Sequence, residues 1–286
     1  MSAFNQESRL ERRQALEDAL ATRVLVLDGA MGTMLQDRHL TAEDFGGAAL
    51  EGCNENLVLT RPDVVVDIHR AYYEAGSDIV ETNSFGGTKI VLAEYGLQDK
   101  SYELNFTAAR LARQAADESS TSGRQRFVAG SMGPTTKAIT VTGGITFPEL
   151  IANFHDQAKG LFEGGADILL LETCQDTRNI KAGLLAIDRL GKELGQVIPV
   201  MVSGTIEATG TMLGGQTADA LYTSISHARL LSIGLNCATG PEFMTDHIRS
   251  IHELSTTRVS CYPNAGLPDS ETGQYLETPD SLARQL

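Results

Sequence analysis

The chain has 286 residues, a formal net charge of −14 and four cysteines, with 42% hydrophobic and 21% charged residues, which is typical of an ordinary soluble globular protein. The acidic balance argues against nucleic acid and an anionic membrane as partners, and no stretch approaches the roughly 18 to 20 apolar residues of a membrane helix. The polar N-terminus is unlike a signal peptide, so we expect a cytoplasmic protein with reduced thiols.

Along the chain, helix patterns alternate with short apolar runs that predict strands. The predicted strands, in order, are 24–27, 78–83, 127–131, 167–173, 198–203, 230–236 and 258–262. The predicted helices are 5–21, 60–76, 101–117, 147–163, 176–194, one that starts at Thr217, and 241–254. A polar, glycine-rich passage at 36–58 shows little periodicity, and a long loop of this kind in a compact domain is often functional.

The alternation predicts an α/β fold. Seven apolar strands separated by helices indicate a parallel sheet covered on both faces, and they suit a (β/α)8 TIM barrel better than an open doubly wound sheet. The open sheet stays an alternative from pattern alone, although no G-x-G-x-x-G follows the first strand. We expect residues 1–286 to form one barrel domain that lacks its eighth strand, as the N-terminal part of a larger modular enzyme.

Polar side chains follow the apolar runs at the predicted strand ends, where the active site of such a barrel lies. These residues are Asp28, Glu81 with Asn83, Ser131, Glu172 with Thr173, Ser203, Asn236 with Cys237, and Asn264. Each one alone is better explained as a helix cap or a turn residue. Their recurrence at equivalent positions of successive units indicates a single site.

The loop that follows the first strand combines a carboxylate with two glycines, in the order Asp28-Gly29-Ala30-Met31-Gly32. Glycine lets the backbone turn sharply and leaves N–H groups open to a ligand. Such a loop suits a small zwitterion, with its carboxylate on the backbone amides and its ammonium group near Asp28.

Cys237 is the most informative cysteine, because it follows an apolar strand and precedes a Gly-Pro turn. A thiol there is a candidate nucleophile or zinc ligand, and zinc is favoured because none of the six histidines falls at a predicted strand end to act as its base. One cysteine does not hold a catalytic zinc, which needs about three protein ligands. Cys261 is expected in the core, Cys174 under the next helix, and Cys53 without a role.

Six ordered segments carry a family resemblance. They are Leu27–Thr33, Val80–Phe85, Gly130–Thr135, Leu171–Thr173, Gly234–Cys237 and Tyr262–Gly266. From about residue 22 to about residue 270 the chain resembles the homocysteine-binding module of cobalamin-dependent methionine synthase, within the homocysteine S-methyltransferase family. The resemblance implies zinc-dependent methyl transfer to the thiol of homocysteine, which gives methionine.

The resemblance also implies a metal site. The family holds zinc through one cysteine after strand six, which Cys237 matches, and a Gly-Gly-Cys-Cys pair after strand eight. Asn264 matches the position that fills the fourth site before substrate binds. The cysteine pair does not occur in these 286 residues, so we expect the zinc site of this chain to be incomplete.

The substrate residues follow from the same resemblance. Asp28 and Glu172 match the acids near the homocysteine amino group. The backbone that would receive the homocysteine carboxylate is that of Gly29, Ala30, Met31 and Gly32. The residues that resemble the lining of the barrel mouth are Glu81, Asn83 and Asn236.

The methyl donor implied is methylcobalamin, carried by another module and recharged from methyltetrahydrofolate. No D-x-H-x-x-G cobalamin signature occurs in this sequence, so cobalamin and folate modules of the same enzyme are expected as partners. One alternative is a stand-alone homocysteine methyltransferase that uses betaine or S-methylmethionine. Another is an inactive fragment without the zinc cysteine pair, and an unrelated barrel enzyme is disfavoured by the ordered motifs.

Overall fold

The computed structural model describes residues 3–266 and 277–285. Within them the α-helices are α1 (Ala3–Thr22), α2 (Met31–Gln36), α3 (Leu57–Thr60), α4 (Pro62–Ala75), α5 (Lys89–Leu92), α6 (Ser101–Ser119), α7 (Phe147–Gly164), α8 (Thr177–Leu194), α9 (Ala218–Ile225), α10 (Pro241–Leu254) and α11 (Pro279–Gln285). The strands are β1 (Ile79–Glu81), β2 (Phe127–Met132), β3 (Ile168–Cys174), β4 (Val200–Gly204), β5 (Ser232–Asn236) and β6 (Arg258–Tyr262). In this part of the chain, no helix is long and apolar enough to cross a membrane.

The strands belong to one sheet, in the order β1-β2-β3-β4-β5-β6. The pair β1–β2 is parallel, with Val80 opposite Val128, and β5 runs parallel to β4 and β6. Parallel strands in chain order with intervening helices confirm the α/β class and correspond to part of a (β/α)8 barrel. The structure does not show the eight strands of a complete barrel within the described ranges.

The predicted first strand, 24–27, forms only an isolated parallel bridge between Leu27 and Ile79. Residues 3–266 and 277–285 therefore hold six strands rather than the seven predicted. The reason lies at Asp78, because its carboxylate accepts the backbone N–H of Val26 at 3.0 Å. That N–H is consequently bound by a side chain rather than by a strand carbonyl.

The chain divides into two compact units. Unit one comprises Met1–Thr135, Ala152–Leu169 and Ala186–Ile198. Unit two comprises Thr136–Ile151, Leu170–Leu185 and Pro199–Leu286.

In unit one, two buried carboxylates lie just ahead of strands. Asp78 precedes β1 and accepts hydrogen bonds from Arg23 and Arg124. Asp167 precedes β3 and is bound by Arg12 of α1 and by Arg113 of α6. The Asp167 pairs join two helices to the start of β3, and the Asp78 pairs join the segments that follow α1 and α6 to the start of β1. We therefore assign the two acids to structure rather than to chemistry.

In unit two, the strands β4 to β6 carry small polar residues on one face of the sheet. A row of Ser203, Gly234 and Ser260 lies in register across the three strands. The helix side is the opposite face, because a Cβ atom on Gly204 would contact Leu221 of α9. Since side chains alternate along a strand, the residues two positions after Gly234 and Ser260 share the polar face with them.

Candidate active site

Two strands of unit two meet through the side chain of Asn236, the last residue of β5. Its Oδ1 accepts the backbone N–H of Thr173 on β3 at 3.0 Å. Its Nδ2 donates to Thr173 Oγ1 at 2.8 Å and to Cys237 Sγ at 3.1 Å. Asn236 is fully buried, and this network places the Cys237 thiol beside the end of β3.

Cys237 itself is half-buried and has a left-handed backbone, with φ of 53°. Burial raises the pKa of its thiol, and the hydrogen bonds from Thr173 and Asn236 act in the opposite direction. The nearby carboxylate of Glu172 adds to the rise in pKa. A neighbouring cation would therefore be needed to stabilise a negatively charged sulfur at this position.

The other predicted residues of unit two also lie at these strand ends. Glu172 is buried on β3, and Tyr262 donates its hydroxyl to Glu172 Oε2 at 3.4 Å. Asn264 donates its backbone N–H to Thr239 O at 3.2 Å, just after Cys237. The structure thus brings together Glu172, Asn236, Cys237 and the segment that carries Asn264.

In unit one, the structure brings Asp28 and Glu81 together. Both carboxylate oxygens of Asp28 accept the backbone N–H of Glu81, at 3.1 and 3.0 Å. Tyr72 of α4 lies close by, and burial followed by the charges of Asp28 and Glu81 raises its pKa to about 12. Asn83 is buried and donates to Asn54 O at 2.7 Å, so it joins the loop 36–58 to the end of β1.

The glycine-containing loop runs from Gly29 into α2, which begins at Met31. Tyr72 donates its hydroxyl to Ala30 O at 3.0 Å. A Cβ atom on Gly29 would lie 3.0 Å from this hydroxyl oxygen, so the close approach of Tyr72 favours glycine there. Gly32 has no such requirement, because no atom lies within 4 Å of an added Cβ.

A catalytic zinc needs about three protein ligands. Within residues 3–266 and 277–285, no group of three or more His, Cys, Asp or Glu side chains is placed to hold a metal ion. Cys53 and Cys174 are buried, and the half-buried Cys261 lies on β6 with its Sγ 3.5 Å from Met244 Sδ. Cys237 therefore fits as one of the about three protein ligands of a catalytic zinc, and the described donors fit zinc only in part.

Three residues contact these groups in ways that the sequence did not predict: Thr173, which was placed only in the strand-end set, and Tyr262 and Glu55, which were given no role. Thr173 and Tyr262 bind the predicted site residues Asn236 and Glu172. Glu55, in the loop 36–58, accepts the backbone N–H of Gly86 at 2.7 Å. Thr173 and Tyr262 lie within the sequence motifs quoted above, so their positions could have indicated a role in the site. Glu55 lies in no quoted motif, and nothing in the sequence indicated its contact.

Comparison with known proteins shows a similar fold. Crystal structures of the homocysteine methyltransferase MmuM from Escherichia coli have a similar fold. The metallated form gives a TM-score of 0.73 at 23% identity, over 86% of this chain and 86% of that chain. The oxidized form gives a TM-score of 0.74 at 23% identity, over 87% of this chain and 85% of that chain.

The sequence model of the family described as homocysteine S-methyltransferase matches residues 25–286. The match spans both units and includes every motif quoted above. The chain therefore belongs to the homocysteine S-methyltransferase family.

Proposed function

We propose that this chain transfers a methyl group to the thiol of homocysteine, as the homocysteine-binding module of a methylcobalamin- and methyltetrahydrofolate-dependent methionine synthase. The observation that carries the proposal is the group at the ends of β3 and β5. There a half-buried thiol, Cys237, lies beside the buried carboxylate of Glu172 and is hydrogen-bonded by Asn236. The carboxylate suits the ammonium group of the substrate, and the protein thiol suits a zinc ion that would also bind the substrate thiol.

The reaction needs an activated substrate thiol. A free thiol has a pKa of about 8.5 and is mostly protonated at neutral pH. A bound zinc ion would supply the deprotonation, and we propose Cys237 and Asn264 among its ligands. Further ligands are required beyond the described residues, since those supply no complete set.

The protein's own residues bind and orient the substrate in this proposal. The buried carboxylate of Glu172 attracts the homocysteine ammonium group, and the hydroxyl of Tyr262 holds that carboxylate in place. In unit one, Asp28 and the backbone of residues 29–32 are proposed as substrate-binding groups on the same chemical grounds. Glu81 and Asn83 stay proposed as lining residues.

A second candidate is a stand-alone homocysteine methyltransferase that takes its methyl group from betaine or S-methylmethionine. One observation favours it, since this chain and the homocysteine methyltransferase from Escherichia coli cover 86% of each other. Methyl transfer from methylcobalamin, S-methylmethionine and betaine, compared side by side, separates the two candidates.

The test of the proposed function measures zinc content with and without homocysteine. It uses this chain and a chain continued through the Gly-Gly-Cys-Cys pair of the family. We expect about one zinc per longer chain, lost in Cys237→Ala and retained in the control Cys261→Ala. We expect the longer chain and its Cys261→Ala variant to transfer the methyl group to homocysteine, and its Cys237→Ala variant to lose this activity. If neither chain binds zinc or methylates homocysteine, the proposed function is wrong.

A further inference from the structure

We infer that Thr173 is a positioning residue, which fixes the side chain of Asn236 so that its amide donates to the Cys237 sulfur. The inference rests on the proposed function, because it concerns the thiol that the proposal places at the reaction site. It adds to the site a residue that touches neither metal nor substrate in that proposal.

The backbone of Thr173 points to a specific demand at this position. Its φ is 51°, in the left-handed region. A β-branched residue rarely adopts this conformation, because its side chain crowds the backbone. Such conformations persist only where the surroundings hold them, and here Asn236 Oδ1 binds the Thr173 N–H at 3.0 Å.

The hydroxyl of Thr173 accepts a hydrogen bond from the side-chain amide of Asn236. A primary amide has one carbonyl oxygen and two N–H groups. In Asn236 the oxygen takes the Thr173 N–H, and the nitrogen donates to Thr173 Oγ1 at 2.8 Å and to Cys237 Sγ at 3.1 Å. The Thr173 N–H can only donate, so it fixes which end of the amide carries the oxygen. The Thr173 hydroxyl accepts from the nitrogen and holds it towards the sulfur, to which the hydroxyl itself donates at 3.9 Å.

This orientation has a chemical consequence for the thiol. Were the amide reversed, its carbonyl oxygen would face Cys237 Sγ, and a negatively charged sulfur would be repelled. With Nδ2 facing the sulfur, one N–H stabilises a thiolate. Hydrogen bonds that orient a metal ligand in this way affect metal affinity and activity although they do not touch the metal.

The experiment follows the Asn236 side-chain amide by ¹⁵N NMR, which needs neither metal nor substrate. The variants are Thr173→Val, which keeps the shape and removes the hydroxyl, and Thr173→Ser, which restores the hydroxyl. The matched control is Thr245→Val, which removes a hydroxyl hydrogen bond to Pro241 O on α10. Asn236→Asp assigns the signals.

In Thr173→Val, we expect the Asn236 amide protons to exchange with water about tenfold faster, the loss that one hydrogen bond implies. Thr173→Ser and Thr245→Val should keep the exchange rate of the unaltered chain. Cys237→Ala should shift one of the two amide protons, and Cys261→Ala neither. If exchange in Thr173→Val is unchanged, or if Cys237→Ala shifts neither proton, the inference is wrong.

Kinetics on the metal-loaded enzyme separate positioning from a purely structural role. We expect Thr173→Val to lower kcat by about tenfold or more, with Thr173→Ser close to the unaltered enzyme. An unchanged kcat in a folded Thr173→Val protein overturns the positioning role. If the unaltered enzyme transfers no methyl group, the proposed function fails, and the NMR result alone decides the orientation of Asn236.

Discussion

Arg12 of α1 donates its Nε–H to Asp167 Oδ1 at 2.7 Å, and so joins the first helix to the start of β3. The same carboxylate accepts hydrogen bonds from Arg113 and from the backbone N–H of Val128, at 2.7 and 2.9 Å. Asp167 is therefore a shared anion within unit one, and its side chain is 2% exposed.

Asp167→Asn should lower the free energy of unfolding by about 3 to 5 kcal/mol. The largely buried Arg12 loses its counter-charge, and the largely buried Arg113 keeps only its pair with the exposed Asp117. Urea unfolding followed by circular dichroism measures the loss. The control is Glu17→Gln, which breaks the exposed pair with Arg13 and should cost about 1 kcal/mol or less. Equal losses in the two variants would contradict the structural role of Asp167.

The packing of α7 on α6 depends on two glycines. A Cβ atom on Gly160 would lie 2.8 Å from Tyr102 O, and one on Gly164 would overlap Phe106 O. Gly164→Ala should therefore destabilise the protein by about 1 to 3 kcal/mol, although alanine favours a helix over glycine by about 1 kcal/mol. The control is Gly32→Ala in α2, where no atom lies within 4 Å, and thermal melting should show no loss.

His69 of α4 is fully buried, and burial lowers its pKa from 6.5 to about 4. The folded protein thus binds a proton less readily than the unfolded chain does. The contribution of neutral His69 to the free energy of unfolding is fully present above pH 6.5. It is lost as the pH falls from 6.5 towards 4, by up to about 3 kcal/mol. His69→Leu should flatten this part of the stability curve. Urea titrations of the unaltered chain and of His69→Leu between pH 7 and about 4.5 measure this difference.

Local chemistry explains which elements were predictable. The helix over 241–254 and the strand over 258–262 have the predicted bounds, since a Gly-Pro pair starts one and alternating apolar residues mark the other. The helix start at Thr217 is also confirmed, because its Oγ1 accepts the N–H of Ala220 at 3.3 Å. The predicted strand 24–27 forms only a single bridge, because the carboxylate of Asp78, which is distant in sequence, binds the backbone N–H of Val26.

The sequence predicted which residues lie at the candidate site, but it did not predict the hydrogen bonds and backbone conformations that arrange them. Glu172, Asn236 and Cys237 lie at strand ends as predicted, because an abrupt change from apolar to polar residues marks where a buried strand ends. The left-handed backbones of Thr173 and Cys237 were not predictable, since neither is the glycine that usually signals them. The hydrogen-bond partner of Asn236 was not predictable either, because Thr173 lies 63 positions away in the sequence.

The carboxylate of Glu172 is buried, and we propose that it binds the substrate's ammonium group. Glu172→Gln should raise KM for homocysteine by about 10-fold to 100-fold, since a hydrogen bond to a charged group contributes about 1.5 to 3 kcal/mol. KM for 4-mercaptobutanoate, which has the thiol and carboxylate but no amine, should change by less than about threefold.

The comparison of the two substrates makes this test specific. A change that merely distorts the strand ends would raise both KM values together, whereas loss of an ammonium partner affects homocysteine alone. Glu253→Gln, at an exposed position on α10, serves as the control and should alter neither value. If Glu172→Gln weakens both substrates equally, Glu172 supports Tyr262 and the strand end, and the ammonium group must bind a different carboxylate.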